Sequence, residues 1–241
     1  MKAVWYERNG DADILEYGDM PDPEPGPGEV LVRIMTSGVN PSDWKRRQGL
    51  TNLIDFPRVI PNQDGAGVIE AVGSDVDQSR VGERVWLFES QFRRPFGTGA
   101  EYTAQPSGHA VRLPDNTDFA AAAGLGVPAM TAHRCVFSDG PVTGKTVLVP
   151  GGAGAVGHYA IQLAKLGGAA AVISTVSSDE KAQIALAAGT DHTINYREED
   201  VAEKVLDLTG GAGVEIVVEV DMAANFPVSQ QVLKSSGALA V

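Results

Sequence analysis

The chain has 241 residues and a net charge of −12, with 43% hydrophobic and 21% charged residues. This length allows one large domain or two ordinary ones, and the balance is that of a folded soluble protein. The acidic charge disfavours general nucleic-acid binding, because it repels phosphate backbones. Cys135 is the only cysteine, which excludes an intrachain disulfide and a multi-cysteine zinc site. No apolar run could span a membrane and the start reads as a strand, so we expect a cytoplasmic protein with no membrane partner.

The first half of the sequence predicts a small barrel-like β domain. Its short apolar or alternating runs are bounded by Gly, Pro or Asp, as is typical of strands. These runs are Lys2–Tyr6, Glu29–Met35, Gly67–Val72, Arg84–Phe88 and Ala100–Ala104. Between them, Ser42–Gln48 predicts a short helix with Ser42 as its N-cap.

The second half predicts an α/β fold, a doubly wound parallel sheet of the Rossmann type. From Asp118 to Phe137 the residues are Ala-rich and helix-forming, and we place the domain boundary in this stretch, with domains at 1–123 and 124–241. Beyond Gly144, strands alternate with crossover helices. The predicted strands are Thr146–Val149, Ala170–Thr175, His192–Asn195, Val214–Val220 and Ala238–Val241. The predicted helices are Val156–Leu166, Asp179–Ala188, Asp200–Leu208 and Phe226–Lys234.

A glycine-rich turn follows the first strand of this half. Gly152, Gly154 and Gly157 form G-x-G-x-x-G between a predicted strand and a predicted helix. In a dinucleotide-binding turn the first glycine permits the tight turn, the second admits the pyrophosphate and the third allows close helix packing. The alternative is a glycine-rich turn without a ligand. The continuing strand–helix alternation favours a nicotinamide dinucleotide site at Gly152-Ala153-Gly154-Ala155-Val156-Gly157.

The end of the second predicted strand bears on the choice between NAD and NADP. An NAD site usually has an acidic residue there, whereas this chain has the neutral Thr175–Ser178 followed by Asp179. Lys181 can reach a 2′-phosphate, which favours NADP(H), although Asp179 counts against it. In the alternative interpretation Ser177 caps the next helix, Glu180 completes a capping box and Lys181 is a solvated charge.

Several segments resemble, in order along the chain, the zinc-free quinone oxidoreductases related to zeta-crystallin, a group of the medium-chain dehydrogenase/reductase superfamily. The matching segments are Pro27–Val30, Ser37–Asp43, Val81–Val85, Met130–Ala132, the glycine-rich turn and Ile194–Tyr196. The resemblance implies an N-terminal GroES-like domain, a Rossmann domain, and NADPH as hydride donor to a quinone or an α,β-unsaturated carbonyl. It also implies a homodimer.

The resemblance also implies roles for single residues. Asn40 and Thr131 match residues at the nicotinamide end, and Ser177, Ser178, Lys181 and Tyr196 match contacts to the 2′-phosphate and the adenosine ribose. Each has another interpretation: Asn40 stabilises a turn, Thr131 is a buried helix residue, and Tyr196 stacks at a strand end. Lys45 stands where relatives have an aromatic hydroxyl, at a position that would line the substrate pocket, so the substitution bears on the substrate class. We take Lys45 as a candidate proton donor.

A catalytic zinc is not expected. Zinc-dependent relatives need a cysteine where this chain has Asn40 and a His-Glu pair where it has Gln63-Asp64. Zinc prefers thiolate, imidazole and carboxylate ligands, and this set is missing.

The sequence ends where the family continues with a sixth strand and a segment returning to the first domain. We therefore expect weaker dimerisation and a more open substrate cleft than in longer relatives. Two functions stay open: an NADPH-dependent oxidoreductase, and an NADPH-binding protein with a structural or regulatory role and little turnover.

Overall fold

The computed structural model of the chain describes residues 1–241 and divides them into two units, Met1–Val127 and Pro128–Val241. The division falls after Val127, a few residues beyond the predicted boundary. It lies within a π-helical turn, Leu125–Ala129, that contains Pro128. None of the helices is both long enough and apolar enough to cross a membrane.

The first unit is built from seven strands and two helices. The strands are β1 (Lys2–Trp5), β2 (Glu16–Asp19), β3 (Glu29–Gly38), β4 (Asp64–Val72), β5 (Arg84–Leu87), β6 (Tyr102–Pro106) and β7 (Ala110–Arg112). The helices are α1 (Pro41–Gln48) and α2 (Phe119–Ala122). Strands β1 and β2 form one antiparallel pair, and the other five form an antiparallel sheet in the order β6-β3-β4-β5-β7. Alternate residues of β3, β4 and β5 are buried together, as expected for strands with one face toward a core.

Three features of this unit differ from the prediction. Strand β2 was not predicted because Glu16–Asp19 is almost entirely exposed and lacks an apolar alternation. Strand β7 was not predicted either, because it is only three residues long. Helix α1 begins at Pro41 with Asn40 as its N-cap, so the assignment of Ser42 as N-cap was wrong. The Asp43 carboxylate accepts a hydrogen bond from the Asn40 backbone N–H at 2.7 Å, and Pro41 is favourable at the first helical position, where its missing N–H costs nothing.

The second unit is a three-layer α/β structure. Its strands are β8 (Thr146–Val149), β9 (Ala171–Val176), β10 (His192–Asn195), β11 (Val214–Val218) and β12 (Leu233–Ala240). Its helices are α3 (Met130–Phe137), α4 (Ala155–Leu166), α5 (Asp179–Ala187), α6 (Val201–Leu208) and α7 (Met222–Val232). The strands are all parallel, in the order β10-β9-β8-β11-β12. Apolar clusters lie on both faces of this sheet, which explains why its strands are almost continuously apolar.

The last helix and strand correct the predicted boundaries. Helix α7 begins at Met222 because the Asp221 side chain caps it, and it ends at Val232, so the prediction of Phe226–Lys234 was displaced toward the C-terminus. Strand β12 already begins at Leu233 and includes polar residues that hid it from the apolar pattern. Its pairing with β11, with a register shift between Val214 and Ile216, decides its length.

Candidate functional site

The turn between β8 and α4 has the geometry of a phosphate-binding turn. Gly151 has a φ of +68°, a conformation that favours glycine. The Gly151 N–H donates to Thr175 Oγ1 at 3.1 Å, and the Gly154 N–H donates to the Gly151 carbonyl at 2.8 Å. Gly154 is the N-cap of the twelve-residue helix α4. The unpaired N–H groups and the positive end of the helix dipole at this terminus attract an anion.

The three glycines of the motif have roles that differ partly from the prediction. The residue that needs the left-handed conformation is Gly151, so assigning the tight turn to Gly152 was wrong. A Cβ at Gly152 would instead overlap Ser174 Oγ of β9. A Cβ at Gly157 would overlap the Gly151 carbonyl oxygen, which agrees with the predicted role in close packing. A Cβ at Gly154 would meet only the Gly151 oxygen, at 3.1 Å, a tight contact but less severe than the overlaps at Gly152 and Gly157.

Five predicted cofactor residues line one cavity beside this turn. The cavity has a volume of about 210 Å³. Its lining includes the predicted Ala153, Gly154, Ser177, Lys181 and Tyr196. The Lys181 Nζ donates to Ser177 Oγ at 2.9 Å, so the ammonium group of α5 points back to the end of β9. This arrangement places a cation and a hydroxyl next to the glycine turn, where a phosphate can accept hydrogen bonds from both.

A second cavity, of about 370 Å³, shares Gly151, Thr175 and Tyr196 with the first. It lies at the carboxyl ends of β8 and β11, the edge at which open α/β sheets bind ligands. The sequence analysis missed its other lining residues, which come from the ends of β8 and β11 and from α6 and α7: Leu148, Pro150, Val201, Val220, Asp221, Ala224, Asn225, Val228 and Ser229. The sequence carried a signal only for Pro150, Val220 and Asp221, which lie at or just after the ends of predicted strands.

The cap of α5 corrects another prediction. Ser178, not Ser177, is the N-cap, and its Oγ accepts a hydrogen bond from the Lys181 N–H at 3.4 Å. The proposed capping box between Ser177 and Glu180 is therefore wrong. Ser177 is buried, and its hydroxyl is left for the Lys181 ammonium group. Five other predicted cofactor residues are not among the lining of the two cavities: Gly152, Ala155, Val156, Gly157 and Ser178.

In the first unit Asn40 is held by two buried carboxylates. Its Nδ2 donates to Asp64 Oδ2 at 2.7 Å, and its backbone N–H donates to Asp43. Asp64 Oδ2 also accepts from the Val127 N–H at 2.8 Å, whereas Asp64 Oδ1 is buried without a partner. Asp64 fixes the orientation of the Asn40 amide, a role that the sequence analysis missed. A Cβ at Gly126 would overlap Asp64 Oδ1, so a glycine is required there.

Both carboxyl groups have raised pKa values. Burial raises the pKa of Asp43 to about 6, and the charge of Asp64 adds to this effect. Hydrogen bonds from the Asn40 and Gln63 backbone N–H groups oppose it. Burial also raises the pKa of Asp64. The cost of burying two neighbouring negative charges is the common cause, because the charged form loses its hydration.

The other two predicted catalytic residues have different surroundings. Lys45 lies in the last turn of α1 with an exposed side chain, and its Nζ is 5.8 Å from the centre of the Trp44 ring. Lys45 follows Asn40 by five positions, which is more than one helical turn, so the two side chains point to different sides of the helix. Thr131 lies in the first turn of α3, in the second unit, and is half-buried.

Comparison with known proteins places both units in known families. Residues 26–115 match the family described as the alcohol dehydrogenase GroES-like domain, and residues 155–241 match the family described as zinc-binding dehydrogenase. A quinone oxidoreductase of Pseudomonas aeruginosa is 36% identical over 219 residues, which are 90% of this chain and 66% of that protein. Human quinone oxidoreductase is 30% identical over 243 residues, covering 100% of this chain and 72% of that protein.

The substrate names of the relatives are not limited to quinones. The chloroplastic NADPH-dependent alkenal/one oxidoreductase of Arabidopsis thaliana is 36% identical over 209 residues, which are 84% of this chain and 54% of that protein. Among solved structures, that of a mycobacterial protein complexed with NADPH has 34% sequence identity and a TM-score of 0.89. The match covers 100% of this chain and 73% of that one. The chain thus spans between about half and three quarters of the length of these relatives.

A GroES-like β unit followed by a Rossmann unit with a glycine-rich turn is the domain combination of the medium-chain dehydrogenase/reductases. The chain belongs to this superfamily, within its quinone oxidoreductase group.

Proposed function

We propose that this chain binds NADP(H) and serves the zinc-independent transfer of hydride to a quinone or an α,β-unsaturated carbonyl compound. The observation that carries the proposal is the cavity beside the glycine turn, where Lys181 and Ser177 offer a cation and a hydroxyl next to the start of α4. Relatives named as quinone and alkenal/one oxidoreductases, and a neighbour solved with NADPH, support it.

The residues of the second unit fit a dinucleotide phosphate. The backbone at Gly154 and the start of α4 would hold the pyrophosphate. Lys181, Ser177 and Ser178 would hold the 2′-phosphate; the Ser178 oxygen accepts the capping bond, and its O–H stays able to donate. Half-exposed Tyr196 would contact the adenosine ribose. When bound, NADPH supplies the hydride, and the protein supplies binding and orientation.

In the first unit we assign Asn40 to the nicotinamide end, as the family resemblance implies, with Asp64 as a positioning residue that holds its amide. Thr131 of the second unit receives the same assignment on the resemblance alone. Lys45 is exposed and charged, so it is able to donate a proton to the reduced oxygen of a substrate, directly or through water. Absence of zinc is proposed because Asn40 and Gln63-Asp64 replace the zinc ligands of the metal-dependent relatives.

The test is a cofactor titration followed by an activity screen. We expect NADPH to bind at least ten times more tightly than NADH, by about the strength of one charged hydrogen bond to the 2′-phosphate. A panel of small quinones and enones should then oxidise bound NADPH. Binding of NADPH without turnover of any panel member would instead indicate the binding protein with a structural role.

The substitution Lys181→Ala tests the 2′-phosphate assignment. Loss of its ammonium group should raise the KM for NADPH by roughly 10-fold or more, because a hydrogen bond to a charged group contributes about 1.5–3 kcal/mol. The KM for NADH should stay unchanged. Lys204→Ala, which removes an exposed lysine of α6 that pairs with Glu199, is the matched control. An unchanged KM for NADPH in Lys181→Ala would show the assignment to be wrong.

A further inference from the structure

Two neighbouring hydroxyl residues of β9, Ser174 and Thr175, hold the segment that leads from β8 into the glycine-rich turn. Ser174 is paired with Val149 in the parallel register of β8 and β9, and its Oγ donates to the Val149 carbonyl at 2.8 Å. Thr175 Oγ1 accepts from the Gly151 N–H at 3.1 Å, and the Thr175 carbonyl accepts from the Gly152 N–H at 3.1 Å. Three backbone groups around the start of the turn are thus bonded to two consecutive residues of β9.

The two hydroxyl groups act on opposite faces of the sheet, because successive side chains of a strand alternate. Ser174 stands between Val172 and Val176, which pack in the apolar cluster that includes residues of α4. An unbonded hydroxyl buried among apolar side chains is unfavourable, and the bond from Ser174 to Val149 removes that cost. Thr175 is on the other face and lines both cavities beside the turn. The start of the turn is therefore held from both sides.

Ser174 also limits the position of the turn by direct packing. A Cβ at Gly152 would overlap the Ser174 Oγ and would lie 3.0 Å from the Ser174 Cβ. Another close neighbour of such a Cβ, Ile161 Cδ1 at 2.8 Å, is the flexible end of a side chain and can move aside. The backbone at Gly152 thus packs against the Ser174 side chain, which blocks a displacement of the turn toward β9.

We propose that Ser174 and Thr175 are positioning residues for cofactor binding: they fix the backbone of residues 149–152 so that the N–H groups at the start of α4 face the pyrophosphate. The inference rests on the proposed binding of NADP(H). Ser174 is completely buried, so it acts only through the backbone that it bonds and packs against. A displaced turn misaligns several hydrogen bonds to one ligand group at once, so loss of either hydroxyl lowers the affinity. The pyrophosphate is common to NADPH and NADH, so both cofactors are affected equally.

The substitutions Ser174→Ala and Thr175→Val remove the two hydroxyl groups with little change in shape. Each should raise the Kd of NADPH and the Kd of NADH by the same factor, roughly fivefold, and should leave kcat at saturating NADPH almost unchanged. Lys181→Ala, in contrast, should affect NADPH alone. Thr190→Val is the matched control, because Thr190 is also buried and its Oγ1 donates to the Val172 carbonyl near the opposite end of β9, at 2.9 Å. It should lower the melting temperature by a similar amount without changing either Kd.

A pair of substitutions tests the packing between Ser174 and Gly152. Gly152→Ala should weaken the binding of both cofactors, because its new methyl group overlaps the Ser174 Oγ and displaces the turn. Combining it with Ser174→Gly removes this obstacle, so the double variant should bind NADPH at least roughly tenfold more tightly than Gly152→Ala alone. Thermal unfolding of each variant shows whether it is folded, and the two hydroxyl variants decide the question if Gly152→Ala is not.

An unchanged Kd in either hydroxyl variant would overturn the assignment of that residue, as would a loss confined to NADPH or an equal loss in Thr190→Val. A double variant that binds no better than folded Gly152→Ala would show that Ser174 does not limit the position of the turn. Failure of the wild type to bind either cofactor is a separate outcome, which would overturn the proposed function and this inference together.

Discussion

At the scale of single residues, the two buried carboxyl groups beside Asn40 fix its orientation and affect the stability of the fold. Asp64 is completely buried and Asp43 is 5% exposed, yet each is retained because it satisfies backbone N–H groups that the apolar surroundings cannot. The consequence is an Asn40 amide whose Nδ2 is already bonded to Asp64. Its position depends on residues far from it in sequence.

The raised pKa of Asp43 predicts a pH-dependent stability. Its folded pKa of about 6 lies above the ordinary value of 3.8, so the folded state binds the proton more tightly than the unfolded state. The free energy of unfolding should therefore fall as the pH rises from about 4 to about 6, by an amount on the order of 3 kcal/mol from this group, and should change little above that range.

Chemical denaturation of the wild type and Asp43→Asn at pH 4.5 and pH 7 measures this effect. The variant loses a hydrogen-bond acceptor at both pH values, but it should gain stability relative to the wild type at the higher pH. A difference between the two proteins that does not vary with pH would contradict the prediction.

At the scale of elements, the glycines of the turn between β8 and α4 have different roles. One is required by the packing of the helix, and another lies where a ligand would bind. Gly157 is needed because the helix approaches the Gly151 carbonyl, whose oxygen would lie 2.4 Å from an added Cβ. At Gly154, on the side where a phosphate would lie, the same oxygen would be 3.1 Å away, so the crowding is milder. The turn is also tied to β9 through Thr175, which accepts from the Gly151 and Gly152 N–H groups. Strand β9 thus helps to fix the turn as well as contributing to the cavity.

Two glycine substitutions should distinguish the packing role from the binding role. Gly157→Ala should lower the free energy of unfolding by about 1–3 kcal/mol, because the new methyl group overlaps backbone that cannot move freely. Gly154→Ala should cost less than about 1 kcal/mol, as for a changed helix N-cap, yet should weaken NADPH binding strongly. Thermal unfolding and cofactor titration of both variants measure the two effects. Equal stability losses would show that the packing argument is wrong.

At the scale of the whole molecule, a β unit with a buried carboxylate pair is combined with a dinucleotide-type α/β unit. The family described as zinc-binding dehydrogenase covers residues 155–241, but the structure shows no group of three or more His, Cys, Asp or Glu side chains placed to hold a metal ion. The match to a family described as zinc-binding is thus not accompanied by a cluster of potential metal ligands.

We expect the reductase activity to be independent of zinc. Dialysis against a strong chelator should leave NADPH oxidation by a reactive quinone unchanged, and metal analysis of the active protein should find far less than one zinc per chain. A zinc-dependent dehydrogenase treated in parallel is the control. Loss of activity that added zinc restores would overturn the expectation.

Much of the second unit could be predicted from the sequence alone. Local signals determined β8, β9, β10, α4, α5 and α6, because apolar strands, capping residues and glycines are readable within a short window. The end of the second predicted strand also directed attention to Ser177 and Lys181, whereas Tyr196 came from the family resemblance, and all three line the cavity beside the glycine turn.

Only the tertiary structure decided the features that depend on residues far apart in sequence. Asn40 became a partner of Asp64, 24 residues away, which no local pattern around Asn40 indicated. Strand β12 includes polar residues because pairing with β11 outweighs local preference. Arg47 lies in a charged segment typical of a solvated helix face, yet folding buries its side chain. The sequence by itself thus determined the fold class and the dinucleotide turn, through short-range hydrogen bonding and apolar periodicity. The burial of charge, and with it the raised pKa of Asp43, was set by long-range packing.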